Sequence, residues 1–154
     1  MKKDFTRDYT TEAFRLYAAM GKPTYEAARK SIYEAELSKR NSVDPATAVQ
    51  QAEIAVEKKA PMLLDILAVE KTIELLERGE KPHIVAAIKE VYFAHPLQPL
   101  HKGDISGRVR RFAIVCPTDE RTVYRWLKEA RLLCAAIRGL RIAGADEKKY
   151  HIAL

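Results

Sequence analysis

No stretch of this 154-residue chain stays apolar for long. The longest candidate, "APMLLDILAV" from Ala60 to Val69, is interrupted by Asp65 and falls well short of the roughly 20 residues that a membrane-spanning helix needs. The amino-terminal "MKKDFTRDYTTEAF" has lysines but no apolar core behind them, so no secretory signal is expected. The reading is therefore a cytoplasmic protein without a membrane partner. Glycine is scarce, at six residues, while 47% of the chain is hydrophobic and 31% charged, a balance that excludes a disordered polypeptide. Cysteine is scarcer still: Cys116 and Cys134 are expected as buried thiols rather than as a disulfide.

Several chemical signatures are also missing. His83, His95, His101 and His151 have no compact ligand spacing and no Cys-x-x-Cys beside them, so no metal is expected. "KGDISGR" has two glycines but lacks the Gly-Lys-Ser/Thr ending that cradles phosphates. No nucleophile stands near a recognisable base. Neither enzymatic activity nor a cofactor is expected. The glutamates at 34, 36, 53, 57, 70, 74, 77 and 90 alternate with Lys or Arg at helical spacing and read as solvated faces. Tyr9, Phe14, Tyr17, Tyr25 and Tyr33 crowd the first forty residues, but that segment is nearly neutral, so they read as helix packing or a partner surface rather than a base-stacking platform.

Period-two alternation is absent, and what remains is helical periodicity. Helices are predicted over Thr11 to Met20, over Thr24 to Lys39 with Thr24 as cap, from Asp44-Pro45 to an end or kink at Pro61, over Met62 to Arg78, and from Pro82 through Ile84, Ile88, Val91 and Tyr92. Gly79 is the expected terminus of the fourth. "HPLQPLHKG" reads as a loop, followed by helices over Asp104 to Cys116 and Asp119 to Arg138, the second capped by Thr118 and ended by Gly139. The fold class is all-α, a multi-helix domain with a C-terminal helix-turn-helix. Residues 1–79 form an amino-terminal helical region, 80–140 the helix-turn-helix region and 141–154 a tail, the first two sharing one core or not.

Charge is distributed unevenly. Between Lys102 and Arg141 stand ten Lys/Arg and four Asp/Glu, so this segment alone carries the chain's net charge of +6. Such a segment favours a polyanion, most commonly nucleic acid. Within it, Val109 to Lys128 has the form of two helices joined by a short turn, with Ala113 at the close approach and Val123, Trp126 and Leu127 facing inward. Arg121, Tyr124, Arg125 and Lys128 then project away from the core. Arg121 and Arg125 stand one turn apart, suited to guanine O6 and N7, and Tyr124 shares their base-reading face although its hydroxyl also suits a phosphate. Phosphate contacts are expected from Lys102, Arg108, Arg110, Arg111 and Lys128, with the three arginines on the polar side of the first helix.

"ERTVYRWLKEARLL", preceded by "GDISGRVRRFAIVCPTD", resembles the helix-turn-helix of sigma-factor region four and of phage late-transcription regulators, and "IVAAIKEVYF" is similar in placement to the helix before that unit. The likeness spans roughly His83 to Leu140. Pro117 departs from it, because the turn usually has glycine there. The resemblance implies promoter or operator DNA as partner, RNA polymerase as a second one, and Arg121, Tyr124, Arg125 and Lys128 at groove-facing positions. The function expected is sequence-preferring binding of double-stranded DNA by a regulator of phage or prophage type. Two alternatives stay open: a DNA-packaging protein like the small subunit of phage terminase, and a helical interaction module whose basic face meets an acidic protein. The long helices between Pro45 and Arg78 are the expected seam of a homo-oligomer.

Overall fold

The computed structural model describes residues 4–39 and 43–140. Among them are seven helices and no strand: α1 Phe5–Ala19, α2 Tyr25–Ser38, α3 Pro45–Lys58, α4 Ala60–Arg78, α5 Pro82–Val91, α6 Asp104–Val115 and α7 Glu120–Arg138. The tail predicted at 141–154 lies outside the described residues.

Local chemistry accounts for most of the boundaries. Asp4 accepts the Arg7 N–H at 2.9 Å and starts α1 six residues before the expected Thr11. The Thr24 hydroxyl caps α2 on the Ala27 N–H, and the Tyr25 N–H donates to the Glu70 carboxylate of α4 at 2.8 Å, pinning the α2 entry. Asp44 and Pro45 start α3 as expected. The interruption expected at Pro61 falls two residues earlier, at Lys59, and Pro61 sits in the first turn of α4, where a missing N–H leaves no bond unmade. Past α4 the left-handed residue is Glu80 at φ +59°, whereas Gly79 keeps φ −81°.

α4 is the central element, in contact with α1, α2, α3, α5 and α7. It buries Leu63, Ile66, Ala68, Val69, Thr72 and Leu76 against the chain's own helices, while Leu64 and Leu75 stay exposed. α2 and α3 pair with one another and lean on α4. One cluster of buried side chains draws on every helix, from Phe14 of α1 through Ala28, Val56 and Ile66 to Ile88, Val109 and Leu127. Each large apolar side chain fully removed from water there contributes roughly 1.5–3 kcal/mol before entropy is counted. Of the amino-terminal aromatics, Phe14 and Tyr17 are inside this cluster, Tyr25 and Tyr33 pack against its edge, and Tyr9 is exposed.

Candidate nucleic-acid interface

α6 and α7 are joined by Cys116 to Asp119, and α5 packs against both. α6 turns Val109, Phe112 and Ala113 inward; α7 does the same with Val123, Leu127, Ala130 and Cys134, at the i, i+4, i+7 and i+11 positions of one stripe. Trp126 is only partly buried. Its ring meets His83 edge-on at 4.7 Å and Phe112 at 6.5 Å, which sets the side of α7 against the start of α5 and the end of α6. In the turn the Cys116 N–H donates to the Phe112 carbonyl and the Thr118 N–H to the Ala113 carbonyl, at 2.9 and 2.8 Å. Pro117 stands between these two donors, at a place where its lack of an N–H costs nothing.

The cap of α7 is Asp119, not Thr118: its carboxylate accepts the Thr122 N–H at 2.7 Å because α7 starts one residue later than Thr118 would allow. That backbone bond, then the Thr122 hydroxyl and the nearby Arg125 and Arg121, hold the Asp119 carboxyl below its usual value. A carboxyl whose pKa is depressed by folding stabilises the fold above its unfolded pKa and loses that contribution as pH falls through the folded one. Asp119→Ala is therefore expected to melt below wild type at pH 7, and the gap between the two melting temperatures is expected to close at a pH below the folded pKa of the carboxyl. An equal gap at both pH values excludes the charged cap as its source.

Arg121, Arg125 and Lys128 are exposed on the side of α7 opposite the buried stripe, and among the described residues Arg121 and Arg125 form no ion pair. Tyr124 is 42% exposed but sits on the flank, where with Arg131, Tyr92, Leu127 and residues of α1 it lines a cleft of about 450 Å³. Lys102 is exposed in the loop before α6. Arg110 is exposed, with its Nε 3.6 Å from the Glu120 carboxylate at the start of α7. Arg111 is exposed on the side of α6 that faces the end of α5, away from Arg110.

Arg108 corrects the sequence reading. Expected on the polar side of α6, it is 8% exposed, and its Nη1 donates to the Val91 carbonyl at 2.9 Å, where α5 ends. Spacing held the signal: Ile105, Arg108 and Phe112 fall at i, i+3 and i+7, so the guanidinium must follow the apolar side. Two further cations of the basic segment also turn inward. The Arg131 guanidinium donates to the Tyr92 hydroxyl at 2.8 Å, and the Arg138 Nε to the Asp65 carboxylate at 2.7 Å. The ten-to-four charge count thus overstates the basic surface. Both cysteines are free, but only Cys134 is buried, where desolvation pushes its thiol up to about 12; Cys116 is exposed in the turn, contrary to expectation.

No helix among the described residues is long and apolar enough to cross a membrane. Comparison with protein-family models, with curated proteins and with solved structures finds no match for this chain.

Proposed function

We propose that α6 and α7 form a helix-turn-helix that binds double-stranded DNA, with α7 as the helix laid in the major groove, and that the protein is a transcriptional regulator of phage or prophage type. The observation that carries this reading is the pair Arg121 and Arg125: one turn apart, exposed, without ion pairs among the described residues, and opposite the stripe that fixes α7 in the core. Two planar guanidiniums so placed suit the acceptor edge of guanine. Tyr124, on the flank of the same helix, is better placed for the sugar-phosphate rim than for bases. Lys102, Arg110, Arg111 and Lys128 supply the phosphate contacts of the exposed surface, and Arg108, 8% exposed with its Nη1 on the Val91 carbonyl, is not part of that outer set. RNA polymerase as a second partner, and pairing of two copies, belong to this reading as its regulatory extension.

The test is duplex binding across a salt series. Four phosphate contacts predict that log K falls with log salt at a slope of about −4. Arg125→Ala is expected to lose on the order of 1–2 kcal/mol of discrimination at one base pair of a selected site. Arg110→Ala is expected to weaken every duplex alike and to flatten the slope by about one. A binding curve that salt does not move points to an acidic protein partner, and if both variants bind as wild type does, the reading fails.

A further inference from the structure

Arg108 poses an electrostatic problem that the fold alone leaves unsolved. The residue is 8% exposed, yet among the described residues its guanidinium has one acceptor, the Val91 carbonyl, and forms no ion pair. A buried charge without a counter-charge is costly, and native structures seldom retain one. Its surroundings are cationic. Arg15, 6% exposed, lies near enough to repel it, as does Arg111; burial lowers the Arg108 pKa first, Asp104 opposes that effect, and Arg15 and Arg111 add to it. Arg15 in turn donates through Nη2 to the His95 and Gln98 carbonyls, and its Nε is buried with no partner. None of the three arginines is neutralised by an ion pair among the described residues.

Two of these charges, Arg108 and Arg111, border a cleft. Between the end of α5 and α6 lies a depression of about 470 Å³, lined by Arg108, Arg111, His95 and the exposed Glu90, with Phe112 and Ala94 as an apolar wall. The remaining nitrogens of Arg108 are not sealed from solvent, and Arg108 lines the cleft. Arg111 lines the cleft and folds back along its own helix, with Nη1 3.9 Å from the position a Cβ would take on Gly107. His95 is held in the left-handed region at φ +48°, and the bond from Arg15 to its carbonyl fixes that turn.

We propose that this cleft is an anion site that takes a phosphate group between Arg108 at its base and Arg111 at its mouth, with Phe112 and Ala94 against whatever the phosphate is attached to. A guanidinium presents several N–H donors in a plane, and two of them converging on one oxyanion give charge-assisted hydrogen bonds of the strong kind. The phosphate has two sources, the backbone of a bound duplex or a free phosphorylated small molecule. The site itself does not rest on the duplex reading.

Inorganic phosphate is the probe. With the full chain at fixed pH and ionic strength, phosphate at about ten times its Kd is expected to raise the melting temperature by roughly 3 °C over sodium chloride. Arg111→Ala loses that rise, while Lys58→Ala, on the distant α3, keeps it. Arg108→Gln loses it too; should that buried variant not fold, exposed Arg111 carries the test alone. A melting temperature indifferent to phosphate in the wild type, or the same rise in Arg111→Ala, overturns the site. Duplex titrations assign the source. If phosphate competes with a duplex for wild type but not for Arg111→Ala, the ligand is the DNA backbone. If Arg111→Ala binds duplex as wild type does, it is a free phosphorylated molecule.

Discussion

Phe14→Ala is expected to lower the unfolding free energy by about 3–5 kcal/mol, a large share of what a domain of this size holds. The side chain is completely buried in α1 and stacks on Tyr92 with ring centroids 5.4 Å apart and planes 14° from parallel, while Phe93 closes on it at 6.5 Å. Removing the ring leaves a cavity between the amino-terminal helix and the segment that follows α5, lined by aromatic rings too rigid to collapse into it. Tyr92 also receives a hydrogen bond from Arg131, so the void adjoins α7. Urea unfolding followed by helical circular dichroism should show one transition, shifted to lower denaturant with its slope retained. A loss under 1 kcal/mol, or separate transitions for the two halves of the chain, would show that α1 and the α5 to α7 unit do not share a cooperative core.

Asp65→Ala is expected to cost about 3 kcal/mol, for a different reason. One carboxylate oxygen accepts the Tyr9 hydroxyl at 2.6 Å and the Arg138 Nε at 2.7 Å, so a single acid ties α1, α4 and α7 together. The ion pair is largely shielded, with side-chain exposures of 21% for Arg138 and 16% for Asp65. Burial by itself would lower the Arg138 pKa, but the hydrogen bond and charge of Asp65, with Tyr9 beside them, raise it instead. Alanine at 65 leaves that guanidinium shielded and alone, and most of the cost is the orphaned charge rather than the lost contact. Arg138→Met in the Asp65→Ala background should therefore recover a good part of the loss. Thermal melts of the single and double variants decide it: a single variant within 1 kcal/mol of wild type, or a double variant no better than the single, contradicts the account.

How far residues alone led to these sites depended on the range of the interaction. Thr24, Asp44 with Pro45, Pro82 and Gly139 announce their helix ends through capping chemistry confined to a few neighbours, and the structure places those ends there. α1 starts earlier than the expected Thr11 because its first turns carry only exposed aromatics, Phe5 and Tyr9, and the Asp4 cap marks its start. Val123 and Leu127 were enough to orient α7, and with it the exposed side of Arg121 and Arg125. Arg131 and Arg138 look like surface charge in the sequence because their partners, Tyr92 and Asp65, stand 39 and 73 residues away, a distance at which no local pattern speaks. Arg108 failed for a subtler reason. An arginine among other arginines invites a polar assignment, and only its register with Ile105 and Phe112 argues otherwise.

Helix α7 is anchored for most of its length, through Leu127, Ala130, Cys134 and the Arg138 clamp, and leaves only its opening turns to the outside. Any ligand that meets those opening turns meets a rigid, preorganised edge whose ordering entropy was spent when the chain folded. Association there should proceed as docking of stiff bodies, with little of the free energy diverted into making the protein adopt its bound shape.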